Sequence, residues 1–249
     1  MAAPLLHLNA SLTHWEFAMY VIGWLVWTPS YVVALVDFYR HREDKDRPCL
    51  IPTIAVCGNV AFEGIWFLLG DFSHAGLVKW LYFGAFLLDI PILIGVLIYG
   101  SFGAPRRFDA NGDLYFGRSR RDRDQHYAVV VFVFLLWVAA YIALRSSFEV
   151  PLGSVGAYLD NVVMSGLFVW TIWLDPTMPA SKWMAWSKGL GTFFVTIFVG
   201  LRYNGASYAF LYLLAAVSAI LDVWYIWLAH HPRQLPANIK PLHFEGYAV

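Results

Sequence analysis

Three carboxylates lie well inside long apolar stretches of this chain: Glu63, Asp89 and Asp222. Placing a carboxylate in hydrocarbon costs about 2.5 kcal/mol or more, so each must face the interior of a helix bundle rather than lipid. Such residues commonly carry a function in membrane proteins. The competing interpretation for each is a structural carboxylate that is hydrogen-bonded between helices.

Seven segments are apolar enough to cross a membrane, which takes about 20 residues each. Only 14% of the residues are charged, whereas soluble domains carry about 25%. The apolar runs are continuous and lack two-residue alternation, which favours helices over a barrel. We predict an all-α integral membrane protein, a single domain over 1–249 with seven transmembrane helices. The predicted spans are 16–38, 50–70, 77–100, 127–145, 152–174, 183–200 and 206–229.

The distribution of basic residues between the spans predicts the orientation. Of 17 Lys and Arg residues, 14 fall on one side, with Lys182 and Lys188 counted among them; Lys79, Arg145 and Arg202 fall on the other. The positive-inside rule then places the N-terminus outside or in a lumen and the C-terminus in the cytoplasm. This indicates a multi-pass protein of a bacterial inner membrane or the endoplasmic reticulum. Since no basic stripe is present, we expect no nucleic-acid partner.

Polar residues three or four positions apart share a helical face, and four spans contain such a stripe. The stripes are Asn59, Glu63 and Trp66; Tyr82, Phe86 and Asp89; Asn161 and Ser165; and Ser218, Asp222 and Tyr225. We expect them to meet in one central cavity. Lys79, Arg145 and Arg202, the cations considered as partners, all lie near outer span ends. Burial without a cation favours the protonated carboxyl group, which can act as a general acid.

Glu63 and Asp222 differ in predicted depth. Glu63 lies about 10 Å and Asp222 about 24 Å from the outer end of its span, at about 1.5 Å per residue. They are therefore expected to act at different points along an extended substrate.

Asp160 is not chosen as a site residue, because it points about 100° away from Asn161 on a helix. Other ionisable residues are expected in water or at headgroups: Glu16, Asp37, His126, Asp175, His230 and His231.

Aromatic residues are abundant, with 12 Trp, 14 Tyr and 19 Phe. Those at span ends fit interfacial belts. The others can enclose a prenyl-like ligand and stabilise a cation through their π faces, by about 2 kcal/mol or more when desolvated. Aromatic content alone does not separate these uses.

Four segments carry a resemblance to a known family. They are Gly58–Glu63 (GNVAFE), Asn161–Val169 (NVVMSGLFV), Lys188–Thr192 (KGLGT) and Leu221–Ile226 (LDVWYI). In the same order, they resemble elements of the small integral-membrane terpene cyclases, namely the fungal meroterpenoid and indole-diterpene cyclases and their bacterial relatives. The chain departs from the fungal members at Phe62, where a Trp is expected, and in 175–183.

The resemblance implies a metal-independent, protonation-initiated cyclase of secondary metabolism, an isomerase or lyase without a cofactor. Its substrate would be a lipophilic prenylated molecule, with or without a terminal epoxide, taken from the lipid bilayer. Glu63 and Asp222 correspond to the catalytic acids. Asp89, Asn59 and Asn161 are expected to support them. The residues expected to contact substrate or cation are Trp66, Tyr82, Phe86 and Tyr225.

The sequence contains neither the Asp-Asp-x-x-Asp cluster of magnesium-dependent cyclases nor the Asp-x-Asp-Asp motif of soluble protonation-type cyclases. A cyclase reading therefore requires isolated membrane carboxyls and no metal site. Two alternatives stay open: a small seven-helix transporter, and a sterol-isomerase-like acid–base enzyme. A retinal-type receptor is disfavoured, because 206–229 contains no Lys.

Overall fold

The computed structural model describes residues 12–40, 51–70, 76–99, 107–108, 114–115, 120–148, 150–174 and 180–231. Within these ranges the chain forms seven α-helices. They are α1 (His14–Arg40), α2 (Thr53–Leu69), α3 (Gly76–Tyr99), α4 (Arg120–Ser147), α5 (Ser154–Leu174), α6 (Lys182–Arg202) and α7 (Ala209–His230). Six are long and apolar enough to cross a membrane, whereas α2 is apolar but has 17 residues. The described chain therefore has the helices of a multi-pass membrane protein.

The helices begin and end within a few residues of the predicted spans, except at the start of α4. That helix begins at Arg120 rather than at 127, so part of the charged run predicted as loop is helical. Two short strands, β1 (Arg107–Phe108) and β2 (Leu114–Tyr115), precede it and pair antiparallel. The residues between these two strands, 109–113, lie outside the described residues.

Helices α1 and α6 make the closest crossing in the bundle, because glycines face each other there. A Cβ atom at Gly23 would lie 2.7 Å from Val195 Cγ2, and one at Gly191 would overlap Trp27. Trp27 also donates from Nε1 to the Lys188 carbonyl oxygen at 2.7 Å. Small residues permit this backbone approach, which is a general means of helix association in membranes.

Burial within the bundle differs strongly between the helices. Half of the apolar window of α5 (50%) is buried, against 11% for α4. Helix α4 packs mainly against α2 and turns large apolar side chains such as Phe132 and Leu135 outward. Among the six long apolar helices, α5 and α6 (44%) are the most buried and so are best placed to hold a site.

An unusual turn precedes α5. Leu152 has φ 69° and Gly153 has φ 73°, and such a conformation costs a non-glycine residue about 1–3 kcal/mol. The Tyr82 hydroxyl donates to the Leu152 carbonyl oxygen at 2.7 Å. Trp66 packs so closely over Gly153 that a Cβ atom there would lie 2.6 Å from its ring. Two of the predicted site residues therefore support this turn.

The expectation that Glu16 and Asp37 are solvated is wrong, because both are buried. Glu16 accepts a hydrogen bond from the Thr13 backbone N–H at 2.6 Å, and Thr13 accepts one from the Glu16 backbone N–H. This is a capping box. Arg202 Nη1 lies 3.5 Å from the Glu16 carboxylate and provides a counter-charge. Asp175 lies outside the described residues.

His126 is also buried, contrary to the expectation that it faces headgroups. Its Nε2 lies 3.1 Å from the Val96 carbonyl oxygen, so it connects α4 to α3. His230 and His231, at the end of α7, are exposed as expected.

Candidate functional site

A cavity of about 110 Å³ lies between α1, α2, α5 and α6, with Tyr82 of α3 at its wall. Aromatic rings dominate the lining, including Tyr20, Trp24, Trp27, Phe62, Tyr158 and Phe198. Such walls fit an apolar ligand, and their π faces can stabilise positive charge.

Glu63 lies on the wall of this cavity, and its neighbours form the first polar cluster. Tyr31 donates its hydroxyl to Glu63 Oε1 at 3.3 Å. Asn59 Nδ2 lies 2.5 Å from Asp89 Oδ2, 3.1 Å from the Tyr31 hydroxyl and 3.5 Å from Glu63 Oε1. Glu63 and Asp89 also share a carboxyl–carboxyl hydrogen bond, and among the described residues no cation forms an ion pair with either acid. The first cluster thus joins two predicted supporting residues to Glu63.

Asp222 belongs to a second polar cluster, which is centred on Lys188. Lys188 Nζ lies 2.5 Å from Asp222 Oδ1, 2.5 Å from Ser165 Oγ and 2.7 Å from Asn161 Oδ1. Ser165 also donates to Asp222 Oδ1, and Asn161 donates to Thr192. The stripe residues Asn161, Ser165 and Asp222 therefore do come together.

Lys188 corrects two expectations from the sequence. It was counted with the basic residues between spans although it falls inside the predicted span 183–200; it lies in α6 and is only 2% exposed. Asp222 also has a cationic partner, whereas the sequence offered none near it. The physical reason is that three oxygen acceptors satisfy the ammonium group inside the bundle, so the side chain need not reach the headgroups. Lys188, the cation paired with Asp222, was therefore expected outside the bundle but lies within it.

A smaller cavity of about 50 Å³ lies between the two clusters, with Asp89 and Lys188 on its wall. Trp27, Tyr31 and Asn59 line both cavities and so form the partition between them. Asp222 lines neither of these two cavities in the described part of the chain; it lies behind Lys188.

The four residues predicted to contact substrate occupy different places. Tyr82 lines the large cavity. Trp66 packs on Gly153, behind the wall that Phe62 provides. Phe86 is half-buried beside Gly64. Tyr225 is buried and stacks on Phe168, a residue of the smaller cavity, with 4.7 Å between ring centroids.

Asp160 is the acid that sequence reasoning set aside. It is 2% exposed and lines the large cavity together with its neighbour Asn161. Asp160 and Asn161 do point about 100° apart around α5. However, α5 packs against several other helices, so more than one of its faces points into the bundle. The signal that could have found Asp160 is its depth in an apolar segment, which is the criterion that identified Glu63.

No family model, curated protein or solved structure matches this chain. The functional argument therefore rests on the two cavities and the acids around them.

Proposed function

We propose that this chain is a membrane-embedded terpene cyclase that works by protonation and without a metal ion. Its substrate is a prenylated, meroterpenoid-type molecule, with or without a terminal epoxide. The observation that carries the proposal is the position of Glu63: a buried carboxyl group, hydrogen-bonded to the Asp89 carboxyl group, on the wall of an aromatic cavity. The proposal includes seven spans, with the N-terminus outside and the C-terminus cytoplasmic.

The first step in this proposal is proton donation by Glu63. The proton adds to the terminal alkene carbon or to the epoxide oxygen, whose C–O bond then opens, and a carbocation forms. The next double bond attacks that cation and closes a ring. Trp24, Trp27 and Phe62 line the space in which this charge would move. Their π faces favour the cation over the neutral chain, which is how a site lowers such a barrier.

The surroundings of Glu63 support its role as the acid. Two carboxyl groups share the Asn59 amide, and no cation is paired with them in the described structure. Such an arrangement retains a proton, because two neighbouring carboxylates repel each other. Asp89 and Asn59 thus serve to hold and orient Glu63.

Asp222 is the second acid of the proposal, and Lys188 defines what it can do. An ion-paired carboxylate is poorly suited to donating a proton, because the ammonium group favours its ionised form. Asn161 and Ser165 fix the geometry of this pair. The pair reaches the cavity through Asn161, which lines the cavity wall and accepts from Lys188.

The experiment is product analysis after expression in a host that supplies prenylated aromatic and prenylated indole substrates, each with and without a terminal epoxide. The wild type is expected to give an isomer of unchanged mass with one or more new rings. Glu63→Gln should abolish this product, with a loss of about 100-fold or more as expected for a general acid. Ser218→Ala, which removes a buried hydroxyl outside both cavities, is the matched control and should leave the product unchanged.

The outcomes separate the candidate functions. Cyclisation by Glu63→Gln at the wild-type rate would refute the acid assignment. An isomer with a moved double bond and no new ring would indicate a sterol-isomerase-like reaction instead. If well-folded wild type converts nothing but moves one of these compounds across vesicles, the chain is a transporter.

A further inference from the structure

We infer that Asp160 is the group that removes a proton from the carbocation and so ends the reaction. This inference deepens the proposed function and rests on it, because a cation started by Glu63 needs a proton acceptor in the same cavity. It concerns a residue that neither the motifs nor the polar stripes of the sequence select.

The position of Asp160 supports this role. Its side chain lines the same large cavity as Glu63 and is 2% exposed. It interacts with the Tyr141 hydroxyl, while its Oδ1 atom has no hydrogen-bond partner in the described structure. Burial favours the protonated form of Asp160, but the Lys188 ammonium charge, which does not act on Glu63, favours the carboxylate that accepts a proton.

The other acids are less suited to this step. Glu63 is the donor in the proposal, and Asp89 is tied to Asn59 at 2.5 Å on the wall of the smaller cavity. Asp222 is bonded to Lys188 and lines neither cavity. Asp160 is thus the one described carboxylate, besides Glu63, on the wall of the large cavity.

The chain makes room for Asp160 on the neighbouring helix. A Cβ atom at Gly58 would overlap the Oδ1 atom of Asp160 and would lie 3.0 Å from the ring of Trp137. The glycine therefore lets the carboxyl group lie flat against α2. Gly64, two turns further along α2, contacts Phe86 instead and provides a matched position for comparison.

The proton balance is complete without another reactant. Glu63 loses one proton to the substrate, and the C–H bond next to the final cation breaks. Its electron pair becomes the new C=C bond, and its proton passes to Asp160. The product is an isomer of the substrate. The proton must then return from Asp160 to Glu63 across the cavity before the next turnover.

The first test is independent of turnover. The full-length protein in detergent at neutral pH is treated with dicyclohexylcarbodiimide, an apolar reagent that reacts with protonated carboxyl groups in membranes, and labelled peptides are mapped by mass spectrometry. We expect label on Glu63, which holds the proton before turnover, and none on Asp160 or Asp222, which are ionised. A prenyl-chain dimethylamine, which carries a positive charge in place of the carbocation, should protect Glu63 at a lower concentration in the wild type than in Asp160→Asn. The inference is overturned if Asp160 is labelled as heavily as Glu63, or if the amine protects Glu63 equally in the wild type and in Asp160→Asn.

The second test is the product profile of Asp160→Asn. We expect substrate still to be consumed, while the native olefin falls about 100-fold as a fraction of total product. Water-captured alcohols or other olefin isomers should take its place, and Asp160→Glu should restore part of the native olefin. Gly58→Ala, which displaces Asp160, should shift the profile in the same direction, whereas Gly64→Ala should not.

The outcomes distinguish this inference from the proposed function. If the wild type cyclises none of the substrates, the proposed function fails and the inference falls with it. If the wild type cyclises and Asp160→Asn gives the wild-type profile, only the inference fails. Complete loss of conversion in Asp160→Asn and Asp160→Glu, both with wild-type thermal stability, would also refute a role confined to termination.

Discussion

Replacing Asp222 with Asn should destabilise the protein, apart from any effect on chemistry. Lys188 is 2% exposed, and its Nζ lies 2.5 Å from Asp222 Oδ1. At that distance the gross attraction is about 7 kcal/mol for an effective dielectric constant of about 20. Desolvation offsets part of it, and removing one partner of a buried pair typically costs about 3–5 kcal/mol. With Asn161 and Ser165 left as neutral acceptors, we expect a loss in this range.

The measurement is thermal unfolding of purified protein in detergent, followed by intrinsic tryptophan fluorescence. For a chain of this size, each kcal/mol shifts the Tm by about 2–4 °C, so Asp222→Asn should unfold about 6–20 °C below the wild type. The double variant Lys188→Met, Asp222→Leu should recover more than half of that loss, because it buries no unpaired charge. Ser218→Ala, one turn away on α7, should stay close to the wild type.

Two results would refute the reasoning. The first is an Asp222→Asn protein that unfolds within about 2 °C of the wild type. The second is a double variant no more stable than the single one, which would mean that the unpaired ammonium group is not the cause. The result also bears on activity assays, since an inactive Asp222→Asn protein is informative only when it is folded.

Two further perturbations probe the framework of the large cavity. Tyr82→Phe removes the hydrogen bond to the Leu152 carbonyl oxygen and should lower the free energy of unfolding by about 1 kcal/mol, measured by the same thermal unfolding. A variant as stable as the wild type would show that the turn before α5 does not depend on this hydrogen bond. Gly191→Leu should overlap Trp27 and prevent the close approach of α1 and α6, so the folded yield in detergent should fall sharply. Gly200→Leu, at an open position of the same helix, should fold normally. Equal yields for the two variants would contradict the packing described for this crossing.

The spans were the most predictable part of this structure, because the membrane imposes long apolar segments whatever their partners are. The inward faces of α2 and α7 were equally predictable: Asn59 and Glu63 are buried together, and so are Ser218 and Asp222. In each case a single polar stripe on an apolar helix can point in only one direction without meeting lipid.

Contacts between side chains of helices that are distant in sequence could not be predicted from the polar pattern of each helix. Lys188 lies near the start of α6, where a long side chain normally reaches the headgroups, and its inward turn depends on acceptors from α5 and α7. Asp160 was set aside because one inward face was assumed for α5. Glu16 was missed although Thr13 and Glu16 are spaced as a capping box, a local signal that the sequence does contain.

Helix α4 differs from the rest of the bundle in what constrains its sequence. It touches the protein mainly along α2, and only 11% of its apolar window is buried in the bundle. Residues such as Leu135 and Ile142 are at least half exposed, so they match little protein surface and many apolar side chains are equivalent there. Among homologues we expect the exposed positions of α4 to exchange one apolar residue for another freely, and their choice to change with the lipid composition of the host membrane. Substitutions in α1 and α6, by contrast, should occur in compensating pairs.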